Sequence, residues 1–517
     1  MGMVSRRPLG FALLAALAGG IGLARCAEAP DSARTTLIVN AVVADDTGGP
    51  ARTASVRVRG DRIADVGELQ ADPGETVVDA GGRVLAPGFI DTHSHHDRGL
   101  NERPGALAAV SQGITTVVVG QDGESHFPLA DYFGRLAEHP PAINVASFAG
   151  HGTLRARVLG EDYRRPATAA EIAEMRGLLR QELEAGALGL STGLEYDPGI
   201  YSETEEVIAL AREAARVGGR YVSHMRSEDR QLWEAVEEII RIGREAGIPV
   251  QVSHMKLAMR SLWGQADRLL QRLDEARAAG VEITADVYPY EYWQSTMTVL
   301  FPNRDFDNRE SAAFALRELA PPEGLLLARF DPDSSYVGKT VAEIAELRGT
   351  DPVTTYMDLI AESQALRQET GESTESVIGT SMDPTDLARL ILWPHSNICT
   401  DGELAGRHPR GFGSFPRVLR RYVREQGALT LEAAIHKMTG LAAGHMGLED
   451  RGVIRPGAYA DLVLLDPAVI ADRATPEEPQ LVSEGIERVW VNGVEVFADG
   501  APTGARPGRV IRRAGMR

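Results

Sequence analysis

Two cysteines, Cys26 and Cys399, are all that 517 residues contain, so no disulfide framework holds this fold. Positive charge is also scarce. The 54 Lys and Arg stand against 73 Asp and Glu, a formal net charge of −19. That argues against nucleic acid or an anionic membrane surface as the main partner, since both are bound through basic patches. It does not point to a cationic substrate either, because a solvated acidic surface is the commoner meaning of such a balance. Long apolar runs are missing beyond the N-terminus, and Leu9 to Leu23 is too short and Gly-rich to span a bilayer. A Gly-x-Gly-x-x-Gly phosphate turn after an early strand is missing too, which weighs against a dinucleotide-binding sheet.

What is present begins with an export signal. Arg6 and Arg7 precede the apolar run, small residues lie around Ala24 to Ala29, and Ser5-Arg6-Arg7 is similar to a twin-arginine signal. A lipoprotein site ending at Cys26 is the rival, with Arg25 a poor fit. Residues 1–29 are read as a signal peptide, and the mature protein as soluble and periplasmic or secreted.

Residues 30–85 and 452–517 alternate apolar and polar positions, with Gly60-Asp61 as a hairpin turn. Strand-rich ends around a different middle predict one small β-sandwich domain built from both termini. In between, short apolar strands alternate with helices, such as the one opened by the capping box Thr168-Ala-Ala-Glu171 and closed at Gly186. Eight strand–helix units over 86–302 and 383–451 predict an α/β (β/α)8 barrel, with functional groups at the C-terminal strand ends. A doubly wound open sheet is the alternative. Asp286 and Asp401 are too far apart for one such unit, so 303–382 is read as an inserted subdomain beside the barrel mouth.

The stretch Ala86-Pro-Gly-Phe-Ile-Asp-Thr-His-Ser-His-His-Asp97 places His93 and His95 two apart, just past an apolar run. That spacing puts both imidazoles on one side of a strand tip. His224 and His254 each end a short apolar run and are one strand–helix unit apart, so they face the same mouth from neighbouring strands. Asp401 ends Ser396-Asn-Ile-Cys-Thr-Asp on the last strand, which closes against the first. Any one of these histidines alone reads as a hydrogen-bonded core residue. Four of them with a carboxylate in one ring form the donor set of a zinc-type catalytic site.

Pro87-Gly-Phe-Ile-Asp-Thr-His-Ser-His resembles the first-strand signature of the amidohydrolase superfamily. Gly189-Leu-Ser-Thr-Gly-Leu-Glu-Tyr-Asp-Pro-Gly199, Asp286-Val-Tyr-Pro-Tyr290, Asp401-Gly, His408-Pro-Arg410 and Ala460-Asp-Leu-Val resemble the N-acyl-D-amino-acid deacylase (D-aminoacylase) branch. The resemblance implies hydrolysis of an N-acyl-D-amino acid to a carboxylate and a free D-amino acid. Carried over, His93, His95 and Asp401 hold one metal position, and His224 and His254 the other. Zinc is expected, as one or two ions, with manganese or iron as options. A metal-bound hydroxide would attack the amide, with Asp401 as general base and then general acid.

The chain departs from the family where many members carry a metal-binding cysteine in Asn-Cys-Gly. Here the triplet reads Gln121-Asp122-Gly123. A carboxylate is left to bridge, either Asp122 by position or Glu195 past the fourth strand, and reach favours Glu195. Cys399 reads as packing below Asp401. The resemblance also places Lys256, Tyr288 and Arg410 around the substrate carboxylate. His151, in Gly150-His-Gly-Thr, follows the third strand and is a candidate for polarising the carbonyl. In the loop after the seventh strand no arginine precedes Arg304, and Trp293, Met297 and Leu300 suit a neutral or apolar side chain. Competing readings keep the metal chemistry but take dipeptides with a D-residue, cyclic amides or lactones. A third makes the chain a non-catalytic exported binding protein.

Overall fold

The computed structural model describes residues 35–301 and 303–515. The expected signal in 1–29, with Cys26, lies outside the described residues. Among the described residues no helix is long and apolar enough to cross a membrane.

Eight parallel strand positions follow one another along the middle of the chain: Phe89–Asp91, Ile114–Val119, Asn144–Ser147 continuing as Ala149–Gly150, Gly189–Gly193, Arg220–His224, Val250–Val252, Ile283–Val287 and Ser396–Ile398. Each pairs in parallel with the next. The ring closes at its rim, where the Asp401 amide donates to the His93 carbonyl (2.8 Å) and the His95 amide to the Gly402 carbonyl (2.9 Å). This is the expected (β/α)8 barrel. Strands buried on both faces read as continuous apolar runs, and Ile114–Val119 is buried at every position. The surrounding helices bury one stripe each. Leu232–Ala246 turns Leu232, Val236, Ile239 and Ile240 inward and ends at Gly247 in the left-handed region. The capping box at Thr168 and Glu171 is present, opening Ala169–Ala185.

The terminal segments pair into one continuous nine-stranded sheet that carries strands from both chain ends. Ile38, Val56, Leu85, Leu462 and Trp490 share its core. The apolar run before His93 is split: Val84–Pro87 joins this sheet, and Phe89–Asp91 starts the barrel. Gly88 is the joint, where a Cβ would come within 2.3 Å of Thr115.

The inserted subdomain is a three-stranded antiparallel sheet, Tyr292–Ser295, Leu325–Phe330 and Glu375–Thr380, packed with the helices Val341–Arg348 and Pro352–Thr370. Its first strand lies ahead of residue 303, so the loop after the seventh barrel strand is itself part of the insertion. Met297 is fully buried in that subdomain's core.

Candidate metal centre and substrate cavity

The strand ends bring four histidines and two carboxylates to one point of the barrel mouth. His93 Nε2 lies 3.5 Å from both Asp122 Oδ2 and Asp401 Oδ1. His95 Nε2 lies 3.2 Å from Asp122 Oδ2 and 3.3 Å from Asp401 Oδ1. Ligand atoms about 2.0–2.1 Å from a tetrahedral ion lie about 3.3–3.4 Å from one another, so this is a coordination spacing and not a hydrogen-bonded one. The other oxygen of Asp122 faces the second pair, 3.4 Å from His254 Nε2 and 4.0 Å from His224 Nδ1. Those two ring nitrogens are 2.9 Å apart.

Asp122 is therefore the carboxylate between the two pairs, where reach had favoured Glu195. The reason is local. Asp122 sits at φ +54°, a left-handed turn that swings its side chain across the mouth. Gly193 permits the approach, since a Cβ there would come 2.2 Å from the Asp122 carbonyl. Glu195 instead takes His224 Nε2 at 2.8 Å and touches only that side. His254 and Asp401 also hold positive φ, at +34° and +48°. Three site residues in a region that costs non-glycine side chains about 1–3 kcal/mol are over-determined by their surroundings.

The residues fit divalent ions. His93 is fully buried with neither ring nitrogen hydrogen-bonded, and Asp122 Oδ1 is likewise buried without a partner. Burial and Arg98 push His95 down, but Asp122 and Asp401 prevail and raise it to about 9. Burial and Lys256 act the same way on His254, which Glu228, Asp401 and Asp122 raise to about 10. The cluster thus attracts positive charge strongly. Burial acts to raise Asp401, yet Arg410, His93 and His254 hold it well below the usual carboxylate range.

Around the second pair the contacts are ordinary hydrogen bonds. Lys256 Nζ reaches both oxygens of Glu228 (2.6 and 2.7 Å) and His254 Nδ1 (2.7 Å). Lys256 is therefore held by both oxygens of Glu228. Of the three groups expected around a substrate carboxylate, Tyr288 Oη and Arg410 Nε are the ones buried without a partner. Arg410 Nη1 lies 2.6 Å from Asp401 Oδ2, and its guanidinium carbon is 4.9 Å from the centre of the Tyr288 ring. His408 orients it, its Nδ1 accepting from the Arg410 amide at 3.0 Å. Lys256, Glu228, Tyr288, Arg410 and Asp401 line a small cavity whose far wall is Trp293, Val299, Leu300 and Leu319. Val299 and Leu319 take the place expected for Met297.

His151 does not join the site. Its Nε2 is bound to Glu206 at 2.8 Å beside Arg155, fully buried behind the third strand, and it lines neither cavity at the mouth. Cys399 is buried and its Sγ donates to Asp286 Oδ1 at 3.2 Å, a packing role. Asp286 carries more than packing, since its carboxylate also accepts from the His254 amide and from Gln251 Nε2, both at 2.6 Å. Glu228 was missed by sequence reasoning. The signal available was its place four residues after His224, on the same strand-end loop.

The amidohydrolase family pattern matches residues 76–317 and 301–497. The chain is 40% identical to the N-acyl-D-glutamate deacylase of Alcaligenes xylosoxydans xylosoxydans over 91% of this chain and 95% of that protein. Among solved structures it is similar to the N-acyl-D-glutamate deacylase of Bordetella bronchiseptica, complexed with zinc and a phosphonate mimic of the tetrahedral intermediate. That match has a TM-score of 0.83 and 37% identity, covering 93% of this chain and 100% of that one. A D-aminoacylase with a binuclear metal centre, in which one metal activates and the second attenuates, matches with a TM-score of 0.82 and 36% identity, covering 92% and 99%. With the ring of histidines, the shared Asp122 and these likenesses together, the chain belongs to the amidohydrolase family, in the branch of the D-aminoacylases.

Proposed function

We propose that this protein hydrolyses the amide bond of N-acyl-D-amino acids, giving a carboxylate and a free D-amino acid. The observation that carries the reading is Arg410: a buried guanidinium with an unused Nε, set against Asp401 at the edge of the metal centre. A carboxylate receptor beside a hydrolytic centre selects a substrate whose scissile amide is one carbon from an acid. His93, His95, Asp122 and Asp401 would hold one divalent ion, and Asp122, His224 and His254 a second. Bound there, zinc supplies Lewis acidity toward the amide carbonyl and lowers the pKa of water at the site.

The chain's own residues do the rest. Asp401 takes a proton from the attacking water and hands it to the departing nitrogen, without which an amine is a poor leaving group. Arg410 and Tyr288 bind the substrate carboxylate, and the planar guanidinium suits a bidentate grip. A carboxylate at Arg410 shares the cation that holds Asp401, so a seated substrate makes the base more basic. An acidic side chain in the small cavity would meet Glu228 and Asp229, with Lys256 already held by Glu228, so a neutral side chain is favoured. Export rests on Arg6, Arg7 and the apolar run after them; cell fractionation tests it.

The test is a chiral assay of metal-analysed protein on N-acetyl-D-methionine, N-acetyl-L-methionine and N-acetyl-D-glutamate. Release of D-methionine, lost on chelation and restored by zinc, is expected. Equal release of the L-isomer, or no release at all, would overturn the reading.

A further inference from the structure

Asp122 reaches between the two imidazole pairs from a strained turn. Asp122 and Gly123 hold positive φ in succession, +54° and +78°, and the Glu124 amide closes the turn onto the Gln121 carbonyl at 2.9 Å. Such a backbone persists where the structure around it fixes it from several directions.

One helix supplies those directions. Beneath the turn lies the start of the helix His151–Leu159. The Thr153 amide donates to the Gly123 carbonyl at 3.0 Å. Thr153 Oγ1 accepts from the Ser125 amide at 3.0 Å and donates to the Ser125 carbonyl at 3.3 Å. Ser125 Oγ accepts in turn from the Gly150 amide at 2.9 Å. Gly150 and Gly152 make room for the Gly123 carbonyl, which a Cβ at either would meet at 2.4 or 3.0 Å.

The same helix turn holds the loop after the fourth strand. Arg155 is fully buried and donates to the carbonyls of Pro198 (3.1 Å) and Tyr201 (3.4 Å). That loop folds back on Gly193, whose carbonyl a Cβ at Gly199 would meet at 2.3 Å. Gly193 is also where the Asp122 backbone packs, and Glu195 just beyond it binds His224. Glu206, itself buried, ties the helix turn together. Its oxygens take Arg155 Nη1 at 2.8 and 2.6 Å, and one of them lies 2.8 Å from His151 Nε2. A buried ion pair gains little over apolar packing of the same volume. What this one adds is direction, because the planar guanidinium holds its donors in a rigid fork.

We propose that the first turn of this helix is the seat of the bridging carboxylate. Thr153 positions Asp122 through Gly123 and Ser125, and the His151–Glu206–Arg155 triad locks that turn against the loop of Glu195. These are positioning residues, and His151 acts on the metal centre from behind it. The proposal rests on Asp122 serving both ions.

Chelator competition with zinc, on the full chain, tests it. Thr153→Val keeps the volume and removes the hydroxyl, so affinity for both ions is expected to fall about tenfold, the lower end for an outer partner. Thr153→Ser restores the hydroxyl and should stay within about twofold of the parent. The decisive arm is the double variant. Beside Asp122→Asn, Thr153→Val should cost less than about twofold more, because the hydroxyl then positions nothing that both ions share. Glu206→Gln should lower both affinities about tenfold or more, since it also frees the loop of Glu195. Should that variant not fold, Arg155→Lys, which keeps the charge and loses the fork, reads the same point. Unchanged zinc affinity in Thr153→Val, or a loss that persists in full beside Asp122→Asn, would overturn the proposal and leave the bridge standing. Unchanged affinity in the folded Glu206 or Arg155 variant would overturn the part given to the triad. Zinc binding unimpaired in Asp122→Asn alone would overturn the bridge, and the proposal with it.

Discussion

The two sides of Asp401 differ in how their polar groups are satisfied. On the side of the small cavity His224, Glu195, His254, Glu228 and Lys256 lie 2.6–3.0 Å from one another in a side-chain network. On the other side His93 and His95 face Asp122 and Asp401 at 3.2–3.5 Å, and His93 makes no side-chain hydrogen bond. Hydrogen bonds hold the first group in place; the second is held by backbone, through the rim bonds from Asp401 to His93 and from His95 to Gly402. The difference teaches a division of labour. The His224 and His254 pair is aimed through side-chain partners, while the His93 and His95 pair is aimed by backbone; each pair still offers donor atoms to an ion. Asp122, with one oxygen toward each pair, couples the two sides.

The most severe break is at the pivot. Asp401→Asn keeps the shape and removes the proton acceptor, so kcat should fall about 10²–10⁴-fold, the range for a lost general acid–base. Metal analysis of the same preparation should still find the ion on the His224 and His254 side. Activity within tenfold of the parent would show that the base lies elsewhere and that the division at Asp401 is only geometric.

Asp122→Asn tests the coupling itself. Affinity for both ions should drop by at least about 100-fold, more than the loss of an outer partner produces, because one carboxylate serves both sets. Glu195→Gln is the contrast. It touches His224 alone, so it should weaken one ion about tenfold and leave the other unchanged. Chelator competition with zinc stoichiometry reads both. Equal two-site losses in the two variants would put Glu195 back in the bridging position.

Much of this was legible in the chain because the barrel converts spacing into position. His93 and His95 are two apart on a strand tip, and His224 and His254 one strand–helix unit apart, so periodicity alone placed them at one rim. Asp122 was legible as a candidate but not as the bridge, since its left-handed backbone depends on the close packing at Gly193. His151 misled because its partner, Glu206, lies 55 residues further along, on the helix Thr204–Ala215, and no local pattern reports that contact. Lys256 stands where its spacing from His254 puts it, in one cavity with Tyr288 and Arg410, but its pairing with Glu228 on the neighbouring strand-end loop is a contact no local pattern reports. The start of the insertion was hidden because Tyr292–Ser295 becomes a strand only by pairing with Glu375–Thr380, far away in sequence.

That pairing allows a gentler test of how the small cavity is walled. Both oxygens of Glu375 accept from the Met297 amide, at 2.9 and 3.1 Å, and Tyr356 Oη donates to the Met297 carbonyl at 2.7 Å. These bonds fix the loop that carries Val299 and Leu300 to the small cavity. Burial raises Glu375 from 4.5 to about 8. Between those values the folded chain holds a proton that the unfolded chain has lost, so this carboxyl lowers stability progressively as pH rises through that window. Glu375→Gln keeps an acceptor for the amide and removes the titration. The fall in Tm from pH 5 to pH 8 should shrink by a few degrees, with the benefit largest at pH 8. KM for N-acetyl-D-leucine should stay within twofold across that range. An unchanged pH slope would mean that Glu375 is already ionised and matched by Arg367, and the wall of the small cavity would then rest on an ion pair instead of a buried acid.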